Sequence, residues 1–213
     1  MPRLYLLGGE NVYKRSAKRI NERAFEDAGI SPRVLVFPWA RASFDRSYRK
    51  RKILSDYFLS IGAGTVDFVE YDRSENIANR LAESDIAYLT GGLPSVLIER
   101  LKKLGTDKLL KEYKGIIVGR SAGALALCKK CVTTCRSNSA VRIVNGVGLV
   151  DIVLKTHYTP EKGEALKHFS KMEKIFAVPQ GSALIYECRK LSAIGSVYLF
   201  NGGHRETFTE VIL

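Results

Sequence analysis

A serine set among small residues is the part of this sequence best suited to covalent chemistry. The pentapeptide GRSAG at 119–123 follows the apolar run 115–118 and opens the run 122–130, which predicts a helix. A GxSxG turn between a strand and a helix exposes the serine hydroxyl, and the N–H groups and dipole of the helix start can stabilise negative charge on a substrate oxygen. The pattern predicts a nucleophile elbow with Ser121 as nucleophile.

A serine nucleophile needs a base, and the sequence offers three histidines. His157 ends the strand-like run IVLKTHY just before a turn at Pro160, so its ring is expected to project from a strand end toward the site. His168 lies in a helical run and is expected at the surface. His204, in FNGGHRE, is expected in a loop and is the second candidate.

Two glycine pairs are expected at strand ends close to the elbow. Gly8 and Gly9 precede Glu10 at the end of the first strand-like run, and Gly91-Gly92 end the run before the elbow strand. Neither segment matches the GxGxxG or GxxxxGK[ST] fingerprint, so the sequence predicts no nucleotide cofactor. Because a neighbouring strand-end loop can supply oxyanion donors, Gly91 and Gly92 are predicted at the active site.

The elements that must position these residues alternate along the first half of the chain. The predicted strands are 3–7, 33–37, 65–69, 85–89 and 115–118, and the predicted helices between them are 16–28, 43–61, 74–84 and 95–104. This rhythm predicts a three-layer, doubly wound α/β fold, with a mostly parallel sheet, helices on both faces and sites at the carboxyl ends of the strands.

Beyond residue 140 the sequence changes to short strand-like runs. These are 141–144, 152–156, 175–178, 183–186, 191–194 and 197–200, interrupted by a predicted helix at 161–172. We expect extra C-terminal strands, some antiparallel, that extend the same sheet. With 213 residues and 46% hydrophobic content, residues 1–213 are expected to form one domain.

The net charge limits which partners fit this sequence, and the length of the apolar runs limits where the protein can be located. The formal net charge is +12, but the densest basic cluster, 41–52, leads into an apolar segment and is typical of an amphipathic helix with a solvated face. Nucleic acid is therefore a disfavoured partner, whereas attraction of an acidic substrate fits the charge. No apolar run reaches the length of a membrane span and the N-terminal apolar stretch is too short for a signal peptide, so a cytoplasmic protein is expected.

The four cysteines are compatible with reduced thiols inside a cell. Cys128 and Cys131 are spaced three residues apart on the helix predicted after the elbow, where small apolar side chains suit packing. Cys135 follows closely, but no fourth cysteine or nearby histidine completes a zinc set. The sequence predicts no metal site.

Five segments together resemble the peptidase E and cyanophycinase family of serine peptidases, which is related in fold to the class I glutamine amidotransferases. They are YLTGG at 88–92, GRSAGALAL at 119–127, GVGLVD at 146–151, THY at 156–158 and VPQGSAL at 178–184. The resemblance covers nearly the whole chain. It implies that Ser121 is the nucleophile and His157 the general base, with an oxyanion hole formed by the Gly91-Gly92 turn and the N–H of Ala122.

The resemblance breaks at the third catalytic position. Gln180 stands where an acidic residue is implied, and a second acidic position used in some members falls at 135–137, which is not acidic. A glutamine can hold the imidazole by a hydrogen bond but cannot stabilise imidazolium by charge, and neutralising a triad aspartate costs about 10⁴-fold in kcat. The alternative third members are Glu206, Asp151 and Glu161.

The family acts on peptides with an N-terminal aspartate or on a β-aspartyl-arginine polymer. Its usual polar residue after the paired glycines is replaced here by Leu93-Pro94, so specificity does not carry over. Arg120, beside Ser121, is a candidate contact for an acidic substrate group.

Three functions remain open from the sequence. The leading one is a cytoplasmic serine peptidase that acts on small peptides. A more specific form of this hypothesis is a preference for aspartyl peptides. The second is an esterase of the α/β-hydrolase type that uses Ser121, Asp151 and His204 in that chain order. The third is a binding protein that keeps the elbow but has lost its acid.

Overall fold

The computed structural model describes residues 2–41, 51–134 and 141–213. The first half contains β1 (Arg3–Leu7), α1 (Lys18–Ala28), β2 (Arg33–Phe37), α2 (Arg51–Ser60), β3 (Thr65–Phe68), α3 (Ile77–Ala82), β4 (Ile86–Leu89), α4 (Pro94–Lys103), α5 (Thr106–Glu112), β5 (Ile116–Arg120) and α6 (Ala122–Leu127). The second half adds β6 (Cys128–Thr134), β7 (Val141–Asn145), β8 (Val150–Thr156), α7 (Gly163–Phe169), β9 (Ile175–Val178), β10 (Ala183–Glu187), β11 (Lys190–Asn201) and β12 (His204–Ile212).

The twelve strands of the described ranges form one sheet. Its order is β3-β2-β4-β5-β1-β10-β11-β9-β8-β6-β7, and β12 pairs with β11. The first five strands of this order are parallel, β10 and β11 join antiparallel, and β9, β8 and β6 are again parallel to one another. The predicted α/β fold, with a largely parallel sheet extended by C-terminal strands, is confirmed.

Helices cover both faces of the sheet because each presents one apolar side to it. On one face α1 and α2 bury side chains such as Phe25 and Phe58 against β1 and its neighbours. On the other face α3, α4, α5 and α6 pack side chains such as Leu97 and Leu125. A smaller cluster beneath α7 includes Phe200. No helix in the described ranges is both long and apolar enough to cross a membrane.

The structure corrects the helix predicted at 122–130. Helix α6 ends at Leu127, and the backbone turns extended at Cys128 to begin β6. The next residues include valine and two threonines, whose branched side chains favour a strand, and β6 pairs with both β7 and β8. Cys128 and Cys131 are therefore buried strand residues, and burial raises the pKa of Cys131 to about 11. Cys135 lies outside the described residues.

Several other element bounds differ from the predictions. The strands predicted at 191–194 and 197–200 are one long strand, β11, whose pairing with β12 shifts between Ser192 and Val197. Helix α5 and strand β12 have no counterpart among the predicted elements. For the helix predicted at 43–61, the structure describes only the part from Arg51 onward, where α2 spans Arg51–Ser60. Residues 42–50 lie outside the described ranges.

Candidate active site

Ser121 occupies the sharp turn between β5 and α6. Its φ of 53° is a left-handed value that a non-glycine residue adopts at a cost, and its N–H donates to the Leu7 carbonyl oxygen over 3.0 Å. The flanking glycines are sterically required, since an added Cβ would lie 2.6 Å from a backbone atom at Gly119 and 2.3 Å at Gly123. A positive φ at a serine between a strand and a helix is the backbone conformation expected of a nucleophile elbow.

His157 follows β8 directly and points its ring at the serine. The Nε2 atom lies 2.7 Å from Ser121 Oγ, which is hydrogen-bonding distance for a hydroxyl and an imidazole nitrogen. The backbone N–H of His157 donates to the Gly8 carbonyl oxygen over 2.8 Å, and Lys162 Nζ donates to the His157 carbonyl oxygen over 2.9 Å. The Ser121 hydroxyl and the His157 ring are thus held within hydrogen-bonding reach of each other.

The turn after β1 contacts both members of this pair. Leu7 accepts the Ser121 N–H and Gly8 accepts the His157 N–H. Gly9 lies against the imidazole itself, because a Cβ built on it would stand 2.2 Å from His157 Cε1. The Gly9 carbonyl oxygen in turn accepts the Gly181 N–H over 3.1 Å. The end of the first strand therefore holds both Ser121 and His157 in place.

The two glycines after β4 have different surroundings. A Cβ on Gly91 would lie 3.4 Å from Ser121 Cβ, so this residue lines the space beside the nucleophile. A Cβ on Gly92 would lie 2.1 Å from the Ala40 carbonyl oxygen, so this glycine permits loop packing. Within the described ranges, the N–H groups of Gly91 and Ala122 donate to no protein acceptor.

Cationic side chains act on the ring of His157. Lys155 is 4% exposed, and its Nζ donates to the Thr156 carbonyl oxygen over 3.0 Å. Burial, together with the charge of Lys162, lowers the Lys155 pKa to about 8. Partial burial of the His157 ring lowers its pKa, and Lys155, Lys162 and Arg120 lower it further. A lowered pKa favours the neutral imidazole, which is the form that accepts a proton.

Arg120 turns inward from the turn that carries Ser121. Its side chain is 6% exposed, and Nη1 lies 3.9 Å from the carboxylate of Glu10. The guanidinium of Arg120 thus lies in the protein interior, near Glu10, the residue that follows the glycine pair at the end of β1.

The sequence was also compared with known proteins. The model of Peptidase family S51 matches residues 4–194, nearly the whole chain. The chain belongs to Peptidase family S51. Its resemblance to peptidase E is thereby confirmed.

Individual proteins similar to this chain differ widely from it in sequence. The uncharacterized peptidase Lmo0363 of Listeria monocytogenes is 33% identical over 96 residues, which cover 40% of this chain and 47% of that protein, about half its length. The crystal structure of a peptidase from an acI-B1 Actinobacterium matches with a TM-score of 0.74 at 18% identity, covering 100% of this chain and 97% of the other. A peptidase E protein from Listeria monocytogenes EGD-e matches with a TM-score of 0.67 at 21% identity, covering 91% and 98%.

Gln180, which stands at the family's acidic position, does not contact the imidazole. It is exposed, and its Nε2 donates to Ser16 Oγ over 3.3 Å. In the described ranges no carboxylate hydrogen-bonds the ring of His157. The second acidic position of some S51 peptidases, 135–137 here, lies outside the described residues.

The alternative third members lie elsewhere on this S51 fold. Glu206 is exposed on β12 opposite Leu199, and Glu161 is exposed after β8. Asp151 pairs with Lys129 over 2.9 Å. None of the three acids bonds to His157.

The other two histidines lie away from the nucleophile. His168 is exposed on α7, and His204 is the exposed first residue of β12 rather than a loop residue. Ser121, Asp151 and His204 are therefore not brought together, and the α/β-hydrolase order has no geometric support. Across the described part of the chain, no group of three or more His, Cys, Asp or Glu side chains is arranged to hold a metal ion.

Sequence reasoning missed the role of the β1 turn, from Leu7 to Glu10. The available signal was a glycine pair followed by an acid at the end of the first strand, the same place in the fold as the Gly91-Gly92 pair.

Proposed function

We propose that this chain is a serine peptidase that hydrolyses small peptides. The observation that carries the proposal is the 2.7 Å contact between Ser121 Oγ and His157 Nε2 at an elbow with a positive φ. Membership of Peptidase family S51 supports the same reaction class.

The proposed reaction is acyl transfer through an ester on Ser121. Ser121 Oγ attacks the peptide carbonyl carbon while its proton passes to His157 Nε2. The N–H groups of Gly91 and Ala122 stabilise the oxyanion. The imidazolium of His157 then protonates the leaving amine as the C–N bond breaks. Water, deprotonated by the same ring, hydrolyses the acyl-enzyme and restores Ser121.

We further propose that the substrate carries negative charge, an aspartyl peptide being the simplest case. Lys155, Lys162 and Arg120 all act on the site as cations, and the chain carries a formal net charge of +12. A positive field concentrates acidic peptides near the nucleophile and speeds their association.

Two kinds of measurement test the proposal. A fluorophosphonate probe should label the intact protein at Ser121, located by peptide mass spectrometry, and the Ser121→Ala variant should not be labelled. A dipeptide panel with Asp, Asn or Leu at the first position should show turnover, highest for Asp. Equal turnover of the Asp and Asn peptides would contradict only the preference for negative charge and would leave the peptidase proposal standing.

A non-catalytic binding protein is the second candidate. It is favoured by the absence, in the described ranges, of a carboxylate that hydrogen-bonds His157. A serine without an activated base labels poorly, so wild-type protein that neither labels nor turns over any dipeptide would favour this candidate over the peptidase.

We also propose a cytoplasmic location. It is supported by the free thiols of Cys128, Cys131 and Cys188, since thiols stay reduced in the cytoplasm.

Gln180→Glu is expected to raise kcat/KM. Gly181 donates its N–H to Gly9, and a Cβ built on Gly9 would lie 2.2 Å from the ring of His157. We therefore expect a carboxylate at position 180 to be able to turn toward the imidazole. A charge there stabilises the imidazolium, and the gain is expected to be about tenfold or more, below the roughly 10⁴-fold effect of a triad aspartate. The same change should raise the pKa of His157.

The matched control for this substitution is Glu206→Gln, which alters an exposed acid on β12 and should leave kcat/KM unchanged. No gain from Gln180→Glu together with a large loss from Glu206→Gln would contradict the role of position 180 and identify Glu206 as the working acid.

A further inference from the structure

The backbone of His157 has a left-handed conformation. Its φ is 50°, a value that residues with a Cβ adopt at a cost. A glycine would adopt this conformation freely, but only a side chain with a titratable group can act as the base. The residue lies just beyond the last residue of β8, where the strand ladder ends. Contacts around His157 must therefore hold a backbone conformation that the residue does not favour by itself.

Three hydrogen bonds hold the peptide groups at this residue. Two are made by backbone N–H groups: that of His157 donates to the Gly8 carbonyl oxygen over 2.8 Å, and that of Tyr158 donates to the Val178 carbonyl oxygen over 3.2 Å. The third comes from a side chain, because Lys162 Nζ donates to the carbonyl oxygen of His157 over 2.9 Å. Among the described residues, no backbone N–H donates to that oxygen. The carbonyl group of the strained residue is thus held by a lysine.

The turn that follows the base places this lysine. Residues Pro160–Lys162 form one 3₁₀ turn, and the backbone N–H of Lys162 donates to the Thr159 carbonyl oxygen over 3.0 Å. The side chain then reaches back to His157, five positions earlier in the chain. Tyr158, which is buried in the cluster beneath α7, anchors the start of the same turn. Lys162 itself is partly exposed, so its replacement empties no core position.

The charge of Lys162 and its hydrogen bond have opposite effects on the base. Burial lowers the pKa of His157, and the charges of Lys155, Lys162 and Arg120 lower it further. A lower pKa disfavours the imidazolium that forms when the ring takes the serine proton. By its charge alone, Lys162 therefore opposes this proton transfer. For a substrate without a charged side chain, a benefit from Lys162 must come through its hydrogen bond.

We propose that Lys162 is a positioning residue, whose hydrogen bond to the His157 carbonyl oxygen holds the left-handed backbone from which the ring reaches Ser121. The proposal rests on the proposed Ser121 and His157 chemistry. Lys162 bonds to the backbone of the base, so it acts through the conformation of His157. The contact that depends on this conformation is the 2.7 Å approach of Nε2 to Ser121 Oγ, and a small rotation of the backbone lengthens it.

The primary test is NMR spectroscopy of the intact protein, which needs no substrate. Lys162→Met keeps most of the side-chain stem and removes the ammonium group. The backbone amide and Cα resonances of His157 should shift, and the pKa of its ring should rise because a cation is lost. His168 and His204 should keep their resonances and serve as internal references. Lys162→Arg keeps a donor and a positive charge, so it should stay close to wild type in both respects.

Kinetics then separate the hydrogen bond from the charge. On a dipeptide with Leu at the first position, Lys162→Met should lower kcat by about tenfold with little change in KM, although the pKa of His157 has risen. A role through charge alone predicts the opposite sign, a kcat that stays the same or increases. Lys162→Arg should restore most of the lost kcat, because the guanidinium can donate to the same carbonyl oxygen.

The matched control is Lys167→Met. Lys167 is also a partly exposed lysine, and it lies on α7, where its Nζ bonds to Glu164 over 2.7 Å. Its removal should leave kcat and the resonances of His157 unchanged. Unmoved His157 backbone resonances in Lys162→Met, an unreduced kcat in that variant, or no recovery in Lys162→Arg would each overturn the proposal. Turnover that survives Ser121→Ala would instead overturn the proposed function and leave the NMR result standing.

Discussion

His157→Ala is expected to lower kcat/KM by about 10³-fold or more with little change in the melting temperature. The ring accepts the Ser121 proton over a 2.7 Å contact, and the described histidines offer no second base at that oxygen. Ser121→Ala should cost about as much, and the double variant no more than either, because nucleophile and base act as one unit. Steady-state kinetics on one aspartyl dipeptide with matched thermal melts provide the measurement.

His204→Ala is the control for this result. His204 is exposed at the start of β12, so its removal should leave both kcat and KM at wild-type values. A severe loss in His204→Ala beside an active His157→Ala would show that the base has been assigned to the wrong histidine.

Gly9→Ala is expected to lower kcat/KM by about 100-fold, although the change adds a single methyl group. The new Cβ would stand 2.2 Å from His157 Cε1, which forces the ring away from Ser121. Labelling of Ser121 by a fluorophosphonate should fall in parallel, because the displaced base no longer activates the hydroxyl. Kinetics, labelling and a thermal melt on the same preparation measure the effect.

Gly29→Ala separates this displacement from backbone strain. Gly9 has a φ of +143° and Gly29 a φ of +112°, so alanine is strained at both, but no atom lies within 4 Å of a Cβ at Gly29. Both variants should lose stability, and only Gly9→Ala should lose activity. Equal activity in the two variants would mean that the ring of His157 does not depend on contact with Gly9.

The parts of the fold that could be predicted are those that short segments determine. Strands β1 and β2 have the predicted bounds, since each is an apolar run ended by turn-forming residues. Ser121 is predicted as the nucleophile because its pentapeptide lies between a strand and a helix. His157 was favoured over His204 because it follows a strand end directly. In each case the neighbours in sequence are also the neighbours that determine the conformation.

The parts that could not be predicted depend on distant contacts. Helix propensity favoured a helix through Cys128, whereas pairing with β7 and β8 makes that segment a strand. The buried guanidinium of Arg120 lies 3.9 Å from Glu10, more than 100 residues earlier in the chain. The orientation of Gln180 depends on Ser16, a contact across 164 positions. No local pattern encodes such pairs.

The central place of β1 also bears on how the molecule assembles. This strand pairs with β5 on one side and β10 on the other, and Arg3 meets Glu187 across 184 positions of sequence. Contacts of such long range close large loops and form slowly, whereas the parallel units of β2 to β5 join nearer segments. The clamp on Ser121 and His157 comes from the end of β1, so catalytic competence should arise late in folding. Refolding chains should recover helical signal before they recover a reactive serine.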